Sequence, residues 1–188
     1  MTPSHLVMTA ALRRWLGPAG GAGRAFVFGS VAPDVPLYLL SAGALVYYRA
    51  VLGWSRAQAF GHVYDHLFFE HPLWICGHNL LHAPLVLAAG LLVCALRGAR
   101  ARVALWFLVG CALHAAVDVV THHDDGPLLL FPFDWATRWQ SPVSYWDERH
   151  YGGTFAIAEL GFDALVLACL LAPRLRSVYG SAATRLRG

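Results

Sequence analysis

Long apolar runs, separated by polar, aromatic or basic segments, dominate the pattern of the chain. Four of these runs approach or exceed the roughly 20 residues that a helix needs to cross a bilayer. They cover residues 26–48, 80–96, 103–120 and 155–172. A shorter stretch, residues 4–16, predicts an N-terminal helix that cannot span alone. The pattern therefore predicts an all-α, multi-pass transmembrane bundle with about four spans plus a short N-terminal helix.

The first apolar run is interrupted by Pro33 and Pro36, which flank Asp34. Proline removes a backbone donor and blocks straight continuation of the preceding helix. Such breaks are tolerated at membrane depth where they line a cavity or are buried in protein. We therefore expect a broken or re-entrant element with Asp34 at the break.

Composition agrees with a membrane protein. Apolar residues make up 57% of the 188 residues and charged residues only 13%, whereas soluble proteins average roughly 25% charged residues. The net charge of +3 is small, so a nucleic-acid partner is not expected.

The length suits one domain, and we expect residues 1–188 to form a single integral-membrane helical domain. No cleavable signal peptide of standard shape is expected, so insertion would depend on the internal apolar segments.

Arginine clusters predict the orientation of the spans. Basic residues gather at positions 97–102 and 174–187, and the positive-inside bias places both groups in the cytoplasm. His82, His114, Glu159 and Asp163 then all lie toward the opposite, exoplasmic half. The N-terminal arginines also favour the cytoplasm, so Asp34 can join this layer only through the break in its helix.

His114, Asp118 and His122 recur at every fourth position along an otherwise apolar helix, so they share one face. A carboxylate at the centre of a membrane helix costs roughly 2.5–3.5 kcal/mol on insertion scales, and such residues usually face the bundle interior. Two explanations fit the spacing. One is a buried hydrogen-bonded group that only stabilises the bundle, and the other is a metal site.

A second pair, His78 and His82, has the same spacing at the start of the next apolar run. Two helices that each contribute such a pair can build a four-ligand metal site between them. Mixed imidazole and carboxylate ligands suit Zn, Mn or Fe better than Ca.

Three further polar residues are candidates for the chemistry. Glu159 and Asp163 form a third pair, which either bonds to Arg138, Arg149 or tryptophan indoles or supplies an acid or general base. Arg138 lies among aromatic residues typical of a membrane interface. It either anchors the chain to lipid phosphate or binds a phosphate-bearing substrate.

Four pieces of the sequence resemble the YdjM-like family of inner-membrane, metal-dependent hydrolases. They are SHLVMTAAL, GSVAPD, GHNLLHAPLVL and GCALHAAVDVVTHHDDGPLLLFPFDW, in that order. The resemblance covers most of the chain from residue 4 to about residue 146. That family is distantly similar to the helical zinc-dependent phospholipases C and single-strand nucleases, which also use a His-x-x-x-Asp pair. The resemblance implies Asp34, His82, His114 and Asp118 as first-choice metal ligands, with His5 and His78 next.

The chain departs from the family pattern at two places. Pro36 replaces the second acid of a Pro-Asp-x-Asp motif, and the segment from His78 to His82 is one residue shorter and lacks the family's Arg and Ser. These departures predict that one ligand or supporting group is missing or is supplied by His62, His66 or His122.

These observations together predict a membrane-bound hydrolase of the bacterial inner membrane that cleaves a phosphoester of a lipid or lipid-linked substrate. A divalent metal, with Zn preferred over Mn or Fe, would activate water, and His122 or Glu159 would move the proton. Two alternatives use the same residues. A metal-ion or proton transporter requires a polar path to both faces, which the sequence does not provide below His114. A non-catalytic membrane scaffold requires no metal.

Overall fold

The computed structural model describes residues 2–185, with side chains described for residues 3–172. Within that range the chain is helical apart from turns and a loop between the last two long helices, so the all-α prediction is confirmed there. The helices are α1 Thr2–Leu16, α2 Gly20–Gly29, α3 Asp34–Val46, α4 Arg56–Gly61, α5 Phe68–Glu70, α6 Pro72–Asn79, α7 Pro84–Arg97, α8 Arg102–Thr121 and α9 Gly152–Arg185. Short π-helical turns follow α3 and α4, and a 3₁₀ turn, Gly98–Ala101, joins α7 to α8.

Two stretches are long and apolar enough to cross a membrane, namely Pro84–Thr121 and Gly152–Ala172. A third span is present if the bent pair Gly20–Gly29 and Asp34–Val51 crosses as one element. The prediction of a multi-pass chain is compatible with this result, but the number of four spans is not confirmed.

The difference in span number comes from α7, which is short, within the stretch Pro84–Thr121 that reverses direction at Gly98. The backbone there has φ 60° and ψ −137°, outside the helical region, and Leu87 of α7 packs beside Cys111 and Ala115 of α8. The 14 residues of α7 extend over about 21 Å, less than the roughly 30 Å of a hydrocarbon core. Because α7 and α8 form a hairpin, the histidine-bearing ends of both lie together and the basic turn lies at the other end.

The break between α2 and α3 occurs at the position that the prolines predict. Helix α2 ends at Gly29, Pro33 is the N-cap of α3, and Asp34 is its first residue. The two helices meet at a bend of 48°. A carboxylate at a helix N-terminus is favoured by the helix dipole, and the break directs Asp34 toward α8.

Helices α2 and α8 cross in backbone contact at two glycines. A Cβ atom on Gly110 would collide with the Phe26 carbonyl and would lie 3.0 Å from the Cα of Gly29. Small residues permit such close crossings in membrane bundles. The crossing matters to the site because it lies one helical turn from His114 and sets the position of the α2–α3 turn.

We expect Gly110→Ala to destabilise the protein by about 1–3 kcal/mol, because the added methyl group overpacks the crossing. Gly161→Ala is the matched control, since a Cβ atom there meets nothing within 4 Å. In a helix that change should be neutral or stabilising by up to about 1 kcal/mol. Thermal unfolding in detergent micelles measures the stability of both variants. Equal shifts in melting temperature would contradict the close contact between α2 and α8 at Gly110.

Helix α9 packs mainly against α1 and leaves most of its surface open. None of the residues in its most apolar window is buried, so lipid must cover this surface if the helix spans. The side chains of Arg174, Arg176 and Arg185, and all of Arg187, lie outside the described part of the chain. Their predicted cytoplasmic placement therefore stays a prediction.

Candidate metal centre

Four side chains from three separate segments converge between the helices. Asp34 starts α3, His82 lies in the turn between α6 and α7, and His114 and Asp118 come from the last turns of α8. One ligand atom from each lies within 4.8 Å of the other three. The two histidines are 0% and 1% exposed and Asp118 is 4% exposed, whereas 16% of the Asp34 side chain is exposed. Solvent therefore reaches the cluster at Asp34.

The separations between these atoms match those required by a tetrahedral zinc site. The Nε2 atom of His82 lies 3.5 Å from Asp34 Oδ1 and 3.3 Å from Asp118 Oδ2. The Nε2 atom of His114 lies 3.4 Å and 3.0 Å from the same oxygens, and the two nitrogens are 3.0 Å apart. Zinc bonds of about 2.0–2.1 Å in tetrahedral geometry place ligand atoms about 3.3 Å apart.

The remaining ring nitrogens fix the tautomers of both histidines. The Nδ1–H group of His82 donates to the backbone carbonyl of His78 over 2.6 Å, and that of His114 donates to the carbonyl of Ser30 over 2.8 Å. In the neutral rings both Nε2 atoms then carry a lone pair and no proton. Two such lone pairs 3.0 Å apart repel each other, so the pair requires either a proton shared with the adjacent carboxylates or a cation between the nitrogens. A cation bound by both imidazoles and both carboxylates satisfies all four groups, so the residues present fit a metal ion.

The second oxygen of Asp118 contacts two predicted residues outside the four-atom cluster. His5 Nε2 lies 3.1 Å and His122 Nδ1 3.8 Å from Asp118 Oδ1. The His5 ring also stacks on His114 with centroids 3.9 Å apart. His5 and His122 therefore surround the cluster, and a ligand role for His5 stays a prediction.

His78 and His82 differ from the expected pair on one helix. Helix α6 ends at Asn79, and Ala83 is extended with ψ 122°, because the residue before a proline avoids the helical region. The His78 ring packs against Phe68 and His82, with centroids 5.0 Å and 4.3 Å away. Its nitrogens have no hydrogen-bond partner among the described residues, and burial lowers its pKa. His78 contributes its backbone carbonyl to His82, and its imidazole lies outside the cluster.

The other three candidate residues are not part of the four-residue cluster. Glu159 and Asp163 of α9 both contact the hydroxyl of Ser4, which is neither an arginine nor an indole. Arg138 donates to the carbonyl of Gly126. Its guanidinium lies over Phe68 and Phe69, 5.6 Å and 5.5 Å from the ring centroids.

Arg138 also lines an open cleft of about 630 Å³ beside the aromatic loop. The cleft includes Phe69, His123 and Trp139. Burial lowers the pKa of Arg138 from its ordinary value. The structure thus places Arg138 where a phosphate-bearing group from outside could reach it.

Asn79 has a structural function that the sequence did not indicate. Its side chain is fully buried, donates to the Ile75 carbonyl over 2.8 Å and accepts from the Leu128 backbone N–H over 2.7 Å. It therefore connects the end of α6 to the loop that follows α8. The carbonyls of Ser30 and His78 were also missed, because any residue type supplies a backbone carbonyl. Only the position of the helix breaks could have indicated them.

A family model described as zinc-dependent phospholipase C matches residues 12–184 of the chain. The match includes the four residues of the cluster and excludes His5. No curated protein and no solved structure gives a significant match.

Proposed function

The chain belongs to the zinc-dependent phospholipase C family, and from this premise we propose that it is a membrane-bound hydrolase of lipid phosphoesters. The family and the His/Asp cluster together support a metal-dependent lipid hydrolase. The cofactor is a divalent metal, and zinc is the metal that the family names. We assign Asp34, His82, His114 and Asp118 as its ligands.

One observation carries the proposal, namely the two Nε2 atoms that lie 3.0 Å apart and face two carboxylate oxygens. Both Nδ1–H groups are already engaged by carbonyls, so both Nε2 atoms point into the cluster, as they do in histidines that coordinate a metal. Protonation of one ring would join the same four groups without a metal, and that is the scaffold alternative. The family match favours the metal.

With four protein ligands, zinc would admit a water only by expanding its coordination; it would then lower the pKa of that water toward neutrality and neutralise negative charge on a phosphoester. The chain supplies the rest of the site. Asp34, the most exposed ligand, marks the side from which water arrives. The buried ligands keep the opposite side closed to water.

His122 is the preferred residue for moving the proton. Its Nδ1–H donates to the Asp118 carbonyl over 3.0 Å, so its Nε2 atom is left to accept a proton as a general base. Its ring is partly exposed and lies 4.6 Å from the Tyr145 ring at the rim of the site. Glu159 is the second choice, because its carboxyl group contacts the Ser4 hydroxyl.

Arg138 is proposed to bind the phosphate-bearing part of the substrate. Its cleft opens beside the loop that follows the ligand helix α8. A guanidinium binds phosphate oxygens through paired hydrogen bonds, and its contacts with Gly126, Phe68 and Phe69 hold it in place.

The two or three candidate spans support a location in a membrane. Within the wider family, the ordered pieces from residue 4 to about residue 146 favour the YdjM-like group, and the bacterial inner membrane as the location. We propose that residues 1–188 form one integral-membrane domain. The transporter alternative is less favoured, because α8 has no acidic residue or histidine between Arg102 and His114 that would continue a polar path below the cluster.

Hydrolysis of phospholipids in heavy-oxygen water tests the proposal. We expect the zinc-loaded protein to cleave at least one of phosphatidylethanolamine, phosphatidylglycerol and phosphatidic acid in mixed micelles. Attack of water on phosphorus breaks the bond to the alcohol oxygen, so one oxygen from water should appear in the phosphate-bearing product. Mass spectrometry of both products reads this directly. No turnover of any lipid, or label in a released fatty acid, would contradict the proposal.

A further inference from the structure

A groove of about 260 Å³ runs between α1, α8 and α9 beside the metal centre. Its walls come from Met8 of α1, Val117 of α8, and Phe155 and Phe162 of α9. Almost all of its accessible lining is apolar. A helix, at about 10–12 Å across with its side chains, is too wide for a space of this size, whereas a single hydrocarbon chain is not.

The groove lies along helices that can cross a membrane, since both α8 and α9 belong to such stretches. Its α9 residues run from Phe155 to Phe162, about 10 Å along the helix, which is less than half of a hydrocarbon core of roughly 30 Å. If α9 spans with Gly152 near one surface, the groove lies within one leaflet.

Polar groups lie at the base of the groove. The Ser4 hydroxyl contacts both Glu159 and Asp163, and it donates its one proton to one carboxyl at a time. These contacts hold both carboxyl groups at Ser4, while almost all of the accessible lining of the groove is apolar.

His5 connects the groove to the metal centre. It lines the inner end of the groove, its Nε2 atom lies 3.1 Å from Asp118 Oδ1, and its ring stacks on the ligand His114. In a glycerophospholipid the acyl chains join the phosphate through a short glycerol unit. A phosphate at the cluster would thus place the start of an acyl chain near this end of the groove.

We infer that this groove binds one acyl chain of the lipid substrate, which enters sideways from the bilayer. The inference rests on the proposed lipid hydrolase function, and it adds that the substrate carries a long hydrocarbon chain. Groove residues of α1 and α9, away from the metal ligands, would then determine which acyl-chain lengths the protein accepts.

A matched pair of variants on α9 tests this inference. Ala158→Trp fills the groove, and Ala164→Trp places the same side chain on the opposite, exposed face of the helix. We expect Ala158→Trp to lower kcat/KM at least about tenfold for the long-chain form of the hydrolysed phospholipid, through loss of buried hydrocarbon contact. Its dibutyryl form should be cleaved within about twofold of wild type, and Ala164→Trp should change neither. Equal effects of the two variants on the long-chain lipid would overturn the inference.

Photolabelling provides a readout that needs no turnover. Phosphatidylethanolamine with a diazirine near the end of one acyl chain should label Met8 and residues 155–162 in nanodiscs, and Ala158→Trp should abolish this label. Labelling spread evenly over the exposed faces of α9 would overturn the inference. If the groove is labelled but the wild type hydrolyses no lipid, the proposed function fails and the lipid-binding groove stands.

Discussion

Replacement of Asp118 by Asn is expected to remove zinc from the protein and to lower lipid hydrolysis by more than about a hundredfold. Asp118 Oδ2 contacts the Nε2 atoms of both histidines, at 3.3 Å and 3.0 Å. The asparagine amide has nearly the same shape but lacks the charge that offsets a divalent cation. Residues that only support a ligand already change metal affinity 10–100-fold when mutated, so loss of a direct ligand should exceed that range.

Elemental mass spectrometry of protein purified without a histidine tag measures this effect. Wild type should carry about one zinc per chain, as expected for one four-ligand site, and Asp118→Asn close to none. Asp124→Asn is the matched control, because Asp124 is exposed and lies outside the four-atom cluster. Equal zinc content in all three proteins, or none in wild type, would contradict the assignment of Asp118.

Residue spacing alone located half of the cluster. His114 and Asp118 could be paired because a four-residue separation places them on one helix face whatever the rest of the fold does. Asp34 could be added because proline constrains the local backbone strongly. In each case the inference depended on a rule that acts within about one helical turn.

The parts that the sequence did not predict depend on contacts between distant segments. His78 and His82 have helical spacing, but Pro84 ends the preceding helix, and only the carbonyl of His78 reaches the site. Ser4 bonds to Glu159 and Asp163 across 155 and 159 positions, a pairing that no local pattern encodes. Hydropathy likewise predicts a span over residues 80–96, whereas helix α7 begins only at Pro84 and has 14 residues.

Chelation of zinc is expected to lower the melting temperature of the wild-type protein by about 10 °C. A ligand present at a thousand times its dissociation constant stabilises the folded state by about 4 kcal/mol. In a chain of this length each kcal/mol shifts the melting temperature by about 2–4 °C. Once zinc is removed, the two Nε2 lone pairs face each other at 3.0 Å, and relieving this repulsion requires protonation or separation of the helices that carry them.

Tryptophan fluorescence during heating in detergent micelles, with and without 1,10-phenanthroline, measures the shift, since the chain contains seven tryptophans. Added zinc should restore the original melting temperature. Asp118→Asn should melt at a temperature that the chelator does not change, because the variant has no bound zinc to lose. An equal decrease in the variant would place the stabilising metal elsewhere in the chain. No decrease in the wild type would mean that the histidine pair is stable without a cation, and the central argument for a metal site would be wrong.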